Sequence, residues 1–426
     1  MNLVDRDKKV IWHPYTQQHK MPDPVPIVRG EGVYLIDEQG HRYIDAISSW
    51  WVTIHGHANA YIARKIYEQA LLLEQVIFAG FTHEPAVRLA ERLLGILPPE
   101  LGRIFYSDNG STATEVAIKM ALQYWWNSSR IEETNTSQNQ SRTKILALKN
   151  SYHGDTFGAM SVSARGVFTL AFQDKLFEVE LIDPPTDDYE LPNLQWNEFA
   201  CIIYEPLLQG AGGMNMYSKS GLDQLLQKCK SEKIICIADE VMTGFGRTGK
   251  LFASEHCVSQ PDVICLSKGL TGGTMALGVT ACADWIYQAF VSDDKLKTLF
   301  HGHSFTANPI ACTAALASLD LLESEQTMSA VNRISQQHEE FVSNLRQSSA
   351  KNIRQLGTVV AFELDGDANQ YLHNSSGSIT SLALRHGVYL RPLGNTIYLM
   401  PPYCISDEQL LQVYNVVHKL ISVELV

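Results

Sequence analysis

The sequence predicts an α/β fold: a large domain with a mostly parallel central sheet flanked by helices, and a smaller α+β domain. Three observations carry that expectation. Through the middle of the chain, apolar runs of strand length alternate with stretches of helical spacing, the pattern of a sheet covered on both faces. Two of those runs, "IICIADE" and "PDVICLSKG", consist largely of Ile, Val, Leu and Cys, as strands buried on both faces require. After Pro309 the alternation gives way to a long helix, "IACTAALASLDLLE", and then to mixed strands and helices.

Each element follows from its local pattern. Residues 27–45, "IVRGEGVYLIDEQGHRYID", read as two strands joined by a Gly-containing turn. Residues 60–75 and 84–95 have helical spacing, and Pro98-Pro99 closes the second. "RIFYSDNG" is a short strand running into Gly110-Ser111, and "STATEVAIKMALQYWW" is the helix that follows. Residues 127–143, "NSSRIEETNTSQNQSRT", are polar and low in complexity and read as an exposed, mobile insertion away from the site. "KILALKN" and "ACIIYEP" are further strands, and a helix covers 219–231 before the two apolar strands. The expected organisation is an N-terminal segment, 1–54, joining the small domain, a large domain over 55–315, and the small domain over 316–426.

Bulk properties exclude several classes. A 45% hydrophobic content is enough for a sizeable core. With 34 basic and 46 acidic residues the net charge is −12, which argues against a nucleic-acid partner but leaves room for a small anionic ligand. The eight cysteines are scattered without a CxxC pair and read as buried reduced thiols. The opening segment "MNLVDRDKKVIWHPYTQQ" has no apolar signal core, and the long apolar stretch Thr274 to Val291 carries Asp284 and Gly278. A soluble, cytoplasmic protein with no membrane partner is the expectation.

The chemistry centres on two strand ends. One apolar run ends at Asp239 and the next at Lys268, and ligands of open α/β sheets bind beyond such carboxyl ends. A lysine in partly apolar surroundings gives up its proton more easily, which suits a Schiff-base amine. An acid beside it suits a pyridinium nitrogen, so the pair points to pyridoxal phosphate. Gly110-Ser111 opens a helix, and helix N-termini attract phosphate, although an ordinary capping serine would look the same. Ser304, in "HGHSFTANP", offers another hydroxyl. "NSYHGDTFGAMS" places Tyr152 and Asp155 in a loop, where the aromatic either stacks on a flat heterocycle or packs on the surface. Arg391, in "RPLGN", suits either a substrate carboxylate or an ion pair between domains. The adjacent Trp50 and Trp51 cannot both enter the core from an extended segment, so one faces a cleft or interface.

Two other motifs carry less weight. "GFGRTG" matches GxGxxG at Gly244, Gly246 and Gly249, but Asp239 and Glu240 intervene after the strand and would repel a pyrophosphate. A nicotinamide-dependent oxidoreductase is therefore disfavoured. The pairs His55/His57 and His301/His303 lack a nearby Glu at catalytic spacing and read as loop histidines, so no metal site is expected.

Together these residues resemble the class III (fold type I) pyridoxal-phosphate aminotransferases. The signature is "ADEVMTGFGRTG" followed by "LSKG", with Lys268 standing 29 positions after Asp239. Within that family, "WHPYTQ", "SSWWVTIHGH", "SDNGSTATEVAIKMALQYW", "YHGDTFGAMS" and "RPLGNTIYLMPPY" resemble the members of biotin biosynthesis that aminate 8-amino-7-oxononanoate. The resemblance covers essentially the whole chain. It implies that Lys268 bonds the cofactor and shuttles a proton, that Asp239 pairs with the pyridine nitrogen, and that Tyr15 takes part in catalysis. It implies that Tyr152 and Val241 flank the cofactor ring and that Gly110, Ser111 and Ser304 bind its phosphate. Ser304 would come from the second subunit of a homodimer with shared active sites. Trp50, Trp51, Tyr152, Asp155 and Gly302 would shape the substrate pocket, Arg391 would hold the acceptor's carboxylate, and Glu205 and Arg247 would support the cofactor site.

The amino donor is read from smaller features. Gly302-His303-Ser304 and Leu393 resemble relatives that use lysine, whereas Tyr15 and the Trp50-Trp51 pair match users of S-adenosylmethionine. Aromatic walls suit an adenine and a sulfonium, which favours S-adenosylmethionine. An ω-amino-acid aminotransferase and a non-catalytic cofactor-binding scaffold are the alternatives.

Overall fold

The computed structural model describes residues 2–19, 21–129, 142–364 and 375–423. Its centre is a seven-stranded sheet. Across it the strands run Leu101–Ser107, Gly278–Ala283, Val263–Leu266, Ile235–Asp239, Phe199–Tyr204, Lys144–Leu148 and Glu180–Ile182. Gly278–Ala283 is antiparallel to both neighbours, and the remaining pairs are parallel.

The α/β expectation holds, and side-chain alternation explains how both faces are covered. Ile235 and Ile237 point to one face with Ile203, Val263 and Cys265, where the helix Gly110–Ser129 lays down Ala113, Val116 and Ala117. Their small side chains let that helix approach the sheet closely. Cys236, Ala238, Ile264 and Leu266 point to the other face, into the larger core with Leu222, Leu225 and Leu226 of the helix Lys219–Ser231. That helix starts where Ser218 Oγ accepts the Gly221 N–H at 3.1 Å. The helix Pro309–Leu322 begins with Pro after Asn308, whose Oδ1 accepts the Ala311 N–H at 3.0 Å.

The two strands expected over residues 27–45 are three: Ile27–Glu31, Tyr34–Asp37 and Arg42–Asp45. Gly32, with φ of 57°, makes a tight turn inside what reads as one strand, and Gly40, with φ of 85°, makes the next. Val388–Tyr389 adds to Arg42–Asp45 in parallel, which ties the N-terminal strands to the C-terminal region. That region also holds a three-stranded sheet of Lys351–Leu356, Val359–Glu363 and Thr396–Leu399. Residue 315 falls inside the helix Pro309–Leu322. Of the polar stretch 127–143, residues 127–129 finish the helix Gly110–Ser129, and 130–141 lie outside the described residues. Among the described residues, no helix is long and apolar enough to cross a membrane.

Candidate active site

Adjacent parallel strands deliver charged groups to one edge of the sheet. Asp239 ends Ile235–Asp239 and lies beside Cys265 in the register. The neighbouring strand ends at Leu266, two residues earlier than the sequence pattern suggested, and Lys268 follows in a tight turn with φ of 46°. Glu205 follows Phe199–Tyr204, and residues 152–155 stand in the loop after Lys144–Leu148. These groups border a cavity of about 740 Å³.

The acid is anchored within the protein. Asp239 Oδ1 accepts the Val241 N–H at 3.0 Å, and Oδ2 lies 2.7 Å from His153 Nδ1. Lys268 Nζ stands 4.9 Å from the centre of the Trp51 ring. Burial lowers the Lys268 pKa, and the negative charges of Asp239 and Glu205 oppose that shift in part. Glu205 accepts the N–H groups of Tyr152 at 3.0 Å and Gly210 at 2.9 Å, and burial raises its pKa to about 7.

The opposite end of the cavity suits an anion. Gly110 and Ser111 open the helix Gly110–Ser129, where the first N–H groups have no helical acceptor. Backbone space there is tight. A Cβ on Gly110 would sit 2.6 Å from Val241 Cγ1, and one on Gly154 would sit 2.1 Å from Ser111 Oγ. Ser111 Oγ accepts the Asp155 N–H at 3.2 Å. Among the described residues, the buried His153 Nε2 and Thr156 Oγ1 have no protein partner, and both residues line the cavity. A proton-yielding amine, an anchored acid, an anion-binding helix start and two unspent polar atoms fit pyridoxal phosphate.

An aromatic wall closes the remaining side. The Tyr15 hydroxyl donates to Asp155 and lies 3.3 Å from the Tyr152 hydroxyl. Its ring packs on Trp50 at 5.3 Å and on Phe168 at 5.7 Å. Burial raises the Tyr152 pKa well above the ordinary phenol value. The tryptophans lie in a tight turn rather than an extended strand. Trp51 is buried, its indole donating to the Tyr398 hydroxyl at 2.9 Å, while Trp50 is 39% exposed.

Tyr15, Trp50, Trp51, Gly110, Ser111, Tyr152, Asp155, Asp239, Val241 and Lys268 thus border one cavity. Arg391 stands behind it, its guanidinium carbon 5.0 Å from the centre of the Trp50 ring. Ser304 and Gly302 are exposed and do not line the cavity. Ser304 lies on a loop whose backbone accepts from Gln75 Nε2 at 2.6 Å. In "GFGRTG", Arg247 is buried and donates to the carbonyls of Pro401 at 3.0 Å and Trp51 at 3.4 Å. His153 and Phe168 are additions that the sequence reading missed. His153 sits between two residues already singled out in "SYHGD", and nothing nearby signals that it turns toward Asp239. Phe168 has only Gly166 as a local sign of a turn.

Comparisons with known proteins agree with this geometry. The profile of the class-III aminotransferases matches residues 15–421. An adenosylmethionine-8-amino-7-oxononanoate aminotransferase of Synechococcus elongatus is 44% identical over 97% of this chain and 98% of its own. The crystal structure of the enzyme of that name from Methanocaldococcus jannaschii superposes with a TM-score of 0.90, at 34% identity, covering 99% of this chain and 98% of that one. An amine transaminase from an uncultivated Pseudomonas species, in its PLP-bound form, has a TM-score of 0.87 at 30% identity, over 97% of this chain and 98% of its own. A family match over nearly the whole length, around a cavity that joins an amine, an acid and a helix start, places the chain in the class-III aminotransferases, enzymes that work with pyridoxal 5′-phosphate.

Proposed function

We propose that this aminotransferase moves the amino group of S-adenosylmethionine to 8-amino-7-oxononanoate, giving 7,8-diaminononanoate for biotin biosynthesis in two half-reactions. One observation carries the proposal: the wall of Tyr15, Trp50 and Trp51 meets Arg391 through Trp50 and Lys268 through Trp51, so a cationic donor with a flat base and a long carboxylate can each reach the amine. The names of the relatives from Synechococcus elongatus and Methanocaldococcus jannaschii support the same substrates.

When bound, pyridoxal phosphate supplies an electron sink conjugated to the substrate amine. Lys268 Nζ would take the proton from the substrate's amine-bearing carbon, and its lowered pKa leaves Nζ able to accept it. Asp239, held by His153, would pair with the ring nitrogen. Gly110 and Ser111 would hold the phosphate, Tyr152 and Val241 would flank the ring, and Glu205 fixes the Tyr152 backbone. Tyr15, Asp155, Trp50 and Trp51 orient the substrate and exclude water, while Arg391 takes the acceptor's carboxylate. Arg247 braces the Trp51 carbonyl.

Ser304 and Gly302 find a role if two copies pair, so that Ser304 of the partner subunit completes the phosphate site. Exposed Tyr67, Leu71, Leu72, Ile77, Phe81 and Phe305 support a covered surface of that kind. Seven of the eight thiols are buried as expected, whereas Cys404 is exposed, and free thiols suit a reducing cytoplasm.

A second reading keeps the acceptor and takes lysine as donor; it rests on Leu393, which lines the cavity. A half-reaction assay separates the two. S-adenosylmethionine should bleach the absorbance of the cofactor-loaded protein, and 8-amino-7-oxononanoate should restore it. Bleaching by lysine alone would replace the donor.

A further inference from the structure

The turn that carries the tryptophans is held in conformations that side chains avoid. Ser48, Ser49 and Trp51 have φ of 52°, 59° and 67°. Ser49, with ψ of −96°, lies in a region that suits glycine alone. Such residues persist only where the surroundings over-determine them.

The surroundings here converge on one carboxylate. Asp45 ends the strand Arg42–Asp45 and is wholly buried. Its Oδ1 accepts the Ile47 N–H at 3.2 Å. Its Oδ2 accepts the Ser49 N–H at 2.6 Å and the Ser49 hydroxyl at 3.2 Å, and it lies 2.8 Å from His57 Nε2. Charge-assisted bonds of this kind are the strong ones. Downstream of the turn, Trp50 lies under Arg391 and against Tyr15, and Trp51 lies against Lys268.

We propose that Asp45, backed by His57, is a positioning residue for the acceptor-binding wall: it holds Ser49 in its glycine-like conformation and so sets Trp50 beneath Arg391. This rests on the reading of Arg391 as the carboxylate anchor. Neither Asp45 nor His57 needs to touch a substrate. Without the carboxylate, Ser49 relaxes to a negative φ and the Trp50 ring leaves its place.

The experiment compares Asp45→Ala, Asp45→Ala/Ser49→Gly and His57→Phe with the parent. One readout is steady-state kinetics of the holoenzyme. The other is fluorine NMR of the cofactor-free protein carrying 5-fluorotryptophan, with the Trp50 signal assigned through Trp50→Phe. Asp45→Ala should raise KM for 8-amino-7-oxononanoate by about tenfold, as for one lost charge-assisted bond, while kcat changes less than about threefold. The Trp50 resonance should shift or broaden. Adding Ser49→Gly should recover much of both effects, because glycine adopts the strained conformation freely. An unchanged Trp50 resonance, or equal losses in kcat and KM that glycine does not relieve, would overturn the proposal. If Asp45→Ala does not fold, His57→Phe decides: a displaced Trp50 signal supports the proposal and an unmoved one overturns it. A parent enzyme inactive on the acceptor would sink the functional reading instead, and the NMR result would still decide the role of Asp45.

Discussion

His153 Nδ1 lies 2.7 Å from Asp239 Oδ2, and the imidazole is wholly out of solvent. The strand-end acid is thereby oriented by an imidazole that borders the same cavity. Its other bond comes from the Val241 N–H.

His153→Phe should therefore leave Asp239 with one partner fewer and loosen the cofactor. Loss of a charge-assisted bond of about 1.5–3 kcal/mol predicts roughly ten- to a hundredfold weaker retention. Equilibrium dialysis followed by absorbance of the retained cofactor measures it. Retention equal to the parent's would mean that Asp239 needs no orienting partner.

Gly154→Ala tests the anion end. Gly154 has φ of 130°, and the added Cβ would meet Ser111 Oγ at 2.1 Å and Ser111 Cα at 2.8 Å. Ser111 must shift away from the helix start. Affinity for inorganic phosphate and for the cofactor should fall together, by about tenfold or more, the size of one strong hydrogen bond. A loss of cofactor affinity with phosphate binding intact would move the anion site elsewhere.

Glu205 gives the protein a pH signature. Its carboxyl is pushed from 4.5 to about 7, chiefly by burial and further by the charge of Asp239. Between those values the folded state holds a proton that the unfolded chain has released, so the Glu205 contribution to stability falls as pH rises through that window. A shift of that size corresponds to on the order of 3 kcal/mol. Thermal unfolding of the cofactor-free protein at pH 5 and pH 8 should show a smaller difference in Glu205→Gln than in the parent. An unchanged difference would place the titration on another group.

Arg391→Lys keeps the charge and loses the planar fork that pairs with a carboxylate. KM for 8-amino-7-oxononanoate should rise about tenfold or more, while the donor half-reaction keeps its rate, since one good bidentate contact is worth about 1.5–3 kcal/mol. Stopped-flow bleaching by S-adenosylmethionine gives the second quantity. A parallel loss in both half-reactions would assign Arg391 to the Trp50 wall alone.

Asp239 and Lys268 were legible because continuous apolar runs mark buried strands, and the ends of such strands are where α/β sheets place ligands. Gly110-Ser111 was legible as a strand-to-helix junction. The contact of His153 with Asp239 spans 86 positions and leaves no local periodic trace. The extra strand over 27–45 was hidden because Gly32 turns the chain inside a stretch that reads as one strand. The left-handed backbone at Lys268 and Ser49 was hidden for the opposite reason: neither residue type favours it, and at Ser49 the bonds to Asp45 impose it.

The register of Asp239 beside Cys265 has a mechanical corollary. Backbone ladders hold neighbouring strands about 4.8 Å apart whatever the connecting segment does. The ladder thus fixes the acid against Cys265, three residues ahead of Lys268, while the exposed Val258 stands on the segment that leads into the second strand. A change confined to the Val258 side chain therefore leaves the acid in register, so long as Asp223 keeps its bonds to the Val258 and Ser259 N–H groups.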